Sequence, residues 1–84
     1  METFYIRRSL NGKSFAASAD PAFQGLAGRK CPFFGEDFEP QVKEVNSANA
    51  EIMGVNFDEV AAGLNKEALY FGKFKINLGE TMII

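Results

Sequence analysis

Short apolar runs broken by turn residues predict a β-hairpin at the start of the chain. Thr3–Leu10 is rich in strand-forming residues. Asn11-Gly12 follows, and this dipeptide is the strongest short signal for a hairpin turn. Lys13–Ala19 is then expected to return as the second strand.

The clearest helical pattern covers Phe57–Ala68. Asn56 is a good N-cap, and Glu59 three residues later completes an arrangement like a capping box. Asp58 and Glu59 in the first turn suit the positive end of the helix dipole. Apolar side chains share one stripe at helical spacing: Phe57, Val60, Ala61, Leu64 and Ala68. Gly63 costs this helix about 1 kcal/mol relative to alanine.

The segment between the hairpin and this helix gives weaker signals. An Asp-Pro pair predicts the start of a short helix near Pro21–Ala27. Arg29–Pro40, with its prolines and glycine, is expected to be mostly loop. Gln41–Val45 and Ala50–Val55 predict a second hairpin, with a short helix from Ala48 as the alternative.

After Leu69 the apolar pattern changes to alternation, which predicts a half-buried strand with a solvated, basic face. One face carries Tyr70, Phe74, Ile76 and Leu78, and the other carries Phe71, Lys73, Lys75 and Asn77. Gly79-Glu80 is a plausible turn, and Thr81–Ile84 a last short strand. The C-terminus is therefore expected to pack against the fold.

These elements predict an α+β fold, in which a small antiparallel sheet of hairpins carries one main helix and one short one. The alternative is a small, partly open β-barrel. A chain of 84 residues has room for one domain, which we take as residues 1–84.

Composition narrows the chemistry. The chain has one cysteine and no histidine, so neither a Cys–His pair nor a zinc site can form, and no intramolecular disulfide is possible. We expect no catalytic residues, no metal and no cofactor, and little room for a water-excluding pocket. Cys31 is expected to be a small buried residue. The lack of disulfides, of a signal-like N-terminus and of a long apolar run favours a cytoplasmic protein without membrane contact.

Charge is distributed unevenly along a chain of net charge −2. Residues 1–35 carry five basic and two acidic side chains, whereas residues 36–69 carry eight acidic and two basic ones. The last fifteen residues are again slightly basic. Two candidate surfaces follow from this layout, one acidic and one basic, both with aromatic residues.

The acidic surface predicts a non-catalytic protein-binding module. Exposed loop phenylalanines would anchor a partner, while the carboxylates steer a basic one. One form of this function is inhibition of a larger, nucleic-acid-handling protein, and small phage and mobile-element proteins that block host machinery are similar in size and charge. The candidate residues are Phe33, Phe34, Glu36, Asp37, Phe38 and Glu39, with Asp58 and Glu59 as further acidic contacts.

The basic surface predicts the alternative, a module that binds single-stranded nucleic acid. Cations would follow the phosphates while bases stack on aromatic rings, provided that the first and last long strands lie side by side. The candidate residues are Tyr5, Arg7, Arg8, Phe71, Lys73 and Lys75. A third hypothesis is a structural subunit that forms homo-oligomers through its apolar termini.

Overall fold

The computed structural model describes residues 1–75, which form an open, four-stranded antiparallel sheet and one helix. The elements are β1 (Thr3–Arg8), β2 (Ser14–Ser18), β3 (Lys43–Asn46), α1 (Phe57–Lys66) and β4 (Tyr70–Lys73). The strand order is β3-β1-β2-β4, so β3 and β4 are the two edges of this sheet. The α+β prediction is therefore confirmed, and the sheet does not close into a barrel.

The β1–β2 hairpin forms where its turn dipeptide predicts it. Arg8 pairs with Phe15 at the end of the ladder. Gly12 has a φ of 76°, a left-handed conformation that glycine adopts without steric cost. The Asn11 side chain accepts hydrogen bonds from the Lys13 N–H and the Ser9 hydroxyl, which closes the turn.

The helix starts at its predicted position and ends two residues earlier than predicted. The Asn56 side chain accepts a hydrogen bond from the Glu59 N–H at 3.1 Å. Glu67 is already extended, although its N–H still closes the last turn on the Gly63 carbonyl. Val60 and Leu64 are buried in the core against the sheet with Phe57 packed beside them, whereas Ala68 lies beyond the helix and is exposed.

Both faces of the sheet are covered. On one face, α1 and the segment before it form the helix-side core, which consists of Phe4, Ile6, Phe15, Ala17, Val45, Ala50, Val55, Val60 and Leu64. On the other face, the long β2–β3 connection forms the loop-side core, which consists of Ala16, Phe23, Leu26, Cys31, Phe38 and Leu69. All five residues of β2 are buried as a result. The prediction of a solvated face on the last strand is wrong at Phe71, which packs against the loop-side core.

The predicted short helix near Pro21–Ala27 is present only as a series of single turns. The Asp20 side chain accepts a hydrogen bond from the Ala22 N–H, as a cap would. Phe23 then has a φ of 53° and Gly25 a φ of 91°. A right-handed helix cannot continue through left-handed residues.

The second predicted hairpin is half correct. Lys43–Asn46 is a strand, but the expected return strand Ala50–Val55 is wrong because turns occupy residues 47–54. Asn46 accepts backbone hydrogen bonds through both its side chain and its carbonyl. This local bonding competes with a strand ladder, and it points Ala50 and Val55 into the helix-side core.

The remaining predictions for the C-terminal segment concern residues outside the described range. They concern Ile76, Asn77, Leu78, the turn at Gly79-Glu80 and the strand Thr81–Ile84. Within residues 1–75, no helix has the length and hydropathy needed to cross a membrane.

Candidate functional site

The most exposed aromatic side chains of the β2–β3 connection lie on one tight turn, Pro32–Gly35, which we call the aromatic turn. Phe33 is 42% exposed and Phe34 is 43% exposed. Their ring centroids are 6.4 Å apart, with the rings tilted by 57°. Two adjacent rings therefore reach solvent together.

Two backbone hydrogen bonds to Cys31 close the aromatic turn. The Gly35 N–H donates to the Cys31 carbonyl, and the Cys31 N–H donates to the Glu36 carbonyl, both at 2.7 Å. Cys31 itself is buried, as expected, and its Sγ lies 3.0 Å from the hydroxyl of Ser14 on β2. The turn is thus held in one conformation by bonds to buried chain, which lowers the entropy cost of binding through it.

A lysine from the sheet edge lies beside both rings. The Nζ of Lys73 on β4 is 5.0 Å from the Phe33 ring centroid and 5.9 Å from that of Phe34. Distances below about 6 Å allow a cation–π attraction. The local surface is therefore aromatic and basic, whereas the sequence predicted an aromatic and acidic one.

The three carboxylates of the loop already have partners within the protein. Glu36 accepts a hydrogen bond from the backbone of the β1–β2 turn at 2.6 Å. Asp37 lies 3.3 Å from Lys30, and Glu39 lies 3.3 Å from Arg8. The two ion pairs lower the net negative charge of this segment, whereas Glu36 keeps its charge because its partner is a neutral N–H.

Phe38 is not an exposed anchor. It is only 7% exposed, and its ring centroid lies 6.0 Å from that of Phe71. The residue forms an isolated antiparallel bridge with Ser9, just beyond the end of β1. This pairing directs its side chain into the loop-side core.

Asp58 and Glu59 do not join the aromatic turn. They lie at the start of α1, which packs on the other face of the sheet. Glu59 accepts hydrogen bonds from the Tyr70 hydroxyl at 2.9 Å and from Lys75 at 3.2 Å. These two contacts lower the pKa of Glu59, while burial and the bond to Glu59 raise the pKa of Tyr70 to about 12.

The residues predicted to bind nucleic acid do not form one continuous surface in the structure. Strand β2 lies between β1 and β4, so the first and last strands are not neighbours as that prediction required. Tyr5 and Phe71 pack against the loop-side core and do not form an open face. Lys75 reaches the helix side, where it pairs with Glu59. Of the two predicted lysines, Lys73 is the one beside the aromatic turn.

Two arginines of the loop side are held against aromatic rings. The Arg7 guanidinium carbon is 5.9 Å from the Phe23 ring centroid, and that of Arg29 is 5.1 Å from the Phe71 centroid. Arg7 also donates from Nε to the Glu39 carbonyl at 2.7 Å. No pattern in the sequence indicated Arg29, because it lies in a loop without periodicity and its ring partner is 42 positions away along the chain.

Arg29 separates two open depressions in the surface. A larger one of about 360 Å³ lies toward Glu67 and Leu69, and a smaller one of about 190 Å³ lies toward Arg7. Both depressions are open to solvent, so neither is the water-excluding pocket for which the sequence predicts little room. Residues 1–75 contain no cluster of three side chains suited to holding a metal ion.

Comparison of the chain with protein-family models, with curated proteins and with solved structures finds no match in any of the three.

Proposed function

We propose that this chain is a non-catalytic protein-binding module that anchors its partner through Phe33 and Phe34. One observation carries the proposal: two adjacent phenylalanine rings are exposed on a turn whose ends are hydrogen-bonded to buried chain. Large aromatic side chains are typical anchors of protein interfaces. A turn that is already ordered gives up little entropy when it binds.

The exposed ring area is large enough to matter for affinity. Each phenylalanine has a total area of roughly 200 Å², and about 40% of it is exposed. Burying that remainder at ~25 cal/mol per Å² gives roughly 2 kcal/mol for each ring before the costs of association. The pair together would supply a central part of a micromolar affinity.

The charge beside the rings favours a partner different from the basic one predicted from the sequence. Lys73 is exposed next to both rings, and the loop carboxylates are engaged internally. We therefore propose a partner with an apolar recess and a carboxylate on its rim. An inhibitor would act in this way if the recess is the partner's own binding site.

The proposal can be tested with a photoreactive phenylalanine analogue at position 34. In an extract of the native cells, the analogue should cross-link one defined protein, and excess unlabelled wild type should compete for it. Unlabelled Phe33→Ser/Phe34→Ser should not compete. Ile52→Ser is the matched control, because Ile52 is equally exposed (52%) but lies on the helix side, and this variant should compete fully.

Equal competition by the double variant and by wild type would contradict the proposal, as would the same cross-links from positions 34 and 52. A cross-link to a second copy of this chain would instead favour the structural-subunit hypothesis.

One observation also keeps the nucleic-acid alternative in view. A cation beside two exposed rings is the combination that holds single strands, through phosphate contact and base stacking. Fluorescence anisotropy with a labelled single-stranded oligonucleotide at low and moderate salt tests it. Binding that falls with salt and is lost in both Lys73→Glu and Phe33→Ser/Phe34→Ser would favour nucleic acid over a protein partner.

A further inference from the structure

The smaller depression on the loop side is lined by two arginines. Arg7 enters from β1 and Arg29 from the loop, with the turn at Gly28 between them. The volume of about 190 Å³ equals that of roughly six waters at about 30 Å³ each. A tetrahedral oxyanion with a few bound waters fits this space.

Both guanidinium groups keep their charge available. Among residues 1–75, neither Arg7 nor Arg29 lies within ion-pair distance of a carboxylate. The one carboxylate that lines the depression, Asp37, is paired with Lys30. The depression therefore has a net positive charge in a protein whose total charge is negative.

The two groups are also held in place before any ligand arrives. One N–H of Arg7 is bonded to the Glu39 carbonyl, which leaves four of its five donors free for another acceptor. Arg29 is held over the Phe71 ring at 5.1 Å. Guanidinium groups fixed in this way suit phosphate oxygens, which they bind through paired N–H donors.

The neighbouring depression differs in chemistry. Leu69 and Phe71 contribute apolar lining, and Arg29 is shared with the smaller depression. The lining also includes Glu67, whose carboxylate would repel a second anion. This space therefore suits an uncharged group, such as a flat ring that stacks on the Arg29 guanidinium.

We propose that the Arg7–Arg29 depression binds the phosphoryl group of a small phosphate monoester, and that the space beyond Arg29 receives the ester's aromatic part. This inference is independent of the protein-binding proposal, because it uses neither Phe33 nor Phe34.

The test is a titration of ¹⁵N-labelled protein with phenyl phosphate and, separately, with inorganic phosphate, at moderate salt. Phenyl phosphate should give saturable amide shifts centred on Gly28 and Arg29. Arg29→Gln should weaken its affinity by about tenfold or more, since charge-assisted bonds are lost. Lys66→Gln is the matched control, because it removes one positive charge on the helix side and should leave affinity unchanged.

Arg7→Lys keeps the charge but loses the planar fork, and it should also weaken binding. Each variant's amide spectrum shows whether it is folded. No saturable shift with either probe, or equal weakening by Arg29→Gln and Lys66→Gln, would overturn the site. Equal affinity for phenyl phosphate and inorganic phosphate would overturn the role given to the neighbouring space.

Discussion

Gly63 offers a sharp test of the packing between the helix and the sheet. A Cβ at this position would clash with Cδ2 of Tyr70 and lie 2.7 Å from its Cε2. The same ring closely covers Gly72, where a Cβ would lie 2.8 Å from Cε1. The Tyr70 hydroxyl is bonded to Glu59, so the ring cannot move away without losing that bond.

The effect of Gly63→Ala on the free energy of unfolding is the balance between a gain in helix propensity and the costs of displacing the Tyr70 ring. Alanine in a helix interior is favoured over glycine by about 1 kcal/mol. Forcing a methyl group into a filled space costs about 1–3 kcal/mol, because neighbouring side chains must shift. The displaced ring would also strain or break its hydrogen bond, worth about 1 kcal/mol. We therefore expect Gly63→Ala to lower the free energy of unfolding by about 1–3 kcal/mol.

The sign of the effect should reverse when the ring is removed. In a Tyr70→Ala background the steric term vanishes, so Gly63→Ala should raise the free energy of unfolding by about 1 kcal/mol. Urea unfolding of the four proteins in this double-mutant cycle would then give a coupling energy of about 2–4 kcal/mol. Ala62→Gly, at an exposed position of the same helix, is the control and measures the propensity term alone.

Equal stabilisation by Gly63→Ala in both backgrounds would contradict this prediction. That result would mean that the Tyr70 ring does not pack against the helix at Gly63, and that the glycine has no steric role.

Four further measurements concern the contacts that hold the helix and the β2–β3 connection against the sheet. Glu39→Ala should lower the free energy of unfolding by about 1–3 kcal/mol, because it leaves the half-buried Arg8 without its partner. In Tyr5→Phe, which leaves Tyr70 as the remaining tyrosine, phenolate absorbance should show Tyr70 titrating near pH 12. Because its pKa is raised on folding, the contribution of Tyr70 to stability should be complete below pH 10 and lost as the pH rises to about 12. The pKa of Glu59 is lowered on folding, so the stability that this carboxylate contributes should depend on pH in the opposite way. It should be complete above pH 4.5, lost as the pH falls further, and absent in Glu59→Gln. The buried thiol of Cys31 should react with a thiol reagent only at the rate at which the protein opens.

Each of these predictions has a contradicting result. An unchanged urea midpoint for Glu39→Ala would show that the ion pair contributes nothing. A phenolate transition near pH 10 would place Tyr70 in water, and identical acid unfolding of wild type and Glu59→Gln would remove the carboxylate's role. Immediate thiol labelling in native buffer would show that the loop layer does not cover Cys31.

The sequence predicted correctly those elements whose cause is local. The first hairpin follows from Asn11-Gly12, and the helix start follows from Asn56 and the apolar stripe behind it. The stretch after β3 was mispredicted because its apolar run is short, and the side chain of Asn46 decides in favour of turns.

Exposure of the loop phenylalanines could not be predicted, because it depends on distant contacts. Phe33, Phe34 and Phe38 occur in one short segment of similar composition. Only Phe38 is buried, and its burial follows from a bridge to Ser9, 29 positions earlier in the chain. The pairing of Arg8 with a carboxylate 31 positions away is equally invisible to periodicity. Sequence alone therefore identified the segment but not which of its side chains reach solvent.

Both proposed sites depend on the same connection between β2 and β3, and this has a physical consequence. The aromatic turn is fixed through Cys31, and the arginine depression is lined by Leu26 and Phe38, all three members of the loop-side core. The connection has no regular secondary structure, so these buried side chains and a few hydrogen bonds hold it. A ligand that binds either site only when the connection is ordered must therefore stabilise the other site as well. Because the connection is already ordered in the free protein, each ligand should leave the affinity of the other nearly unchanged, and should instead slow amide hydrogen exchange throughout the connection by stabilising its ordered state against local opening.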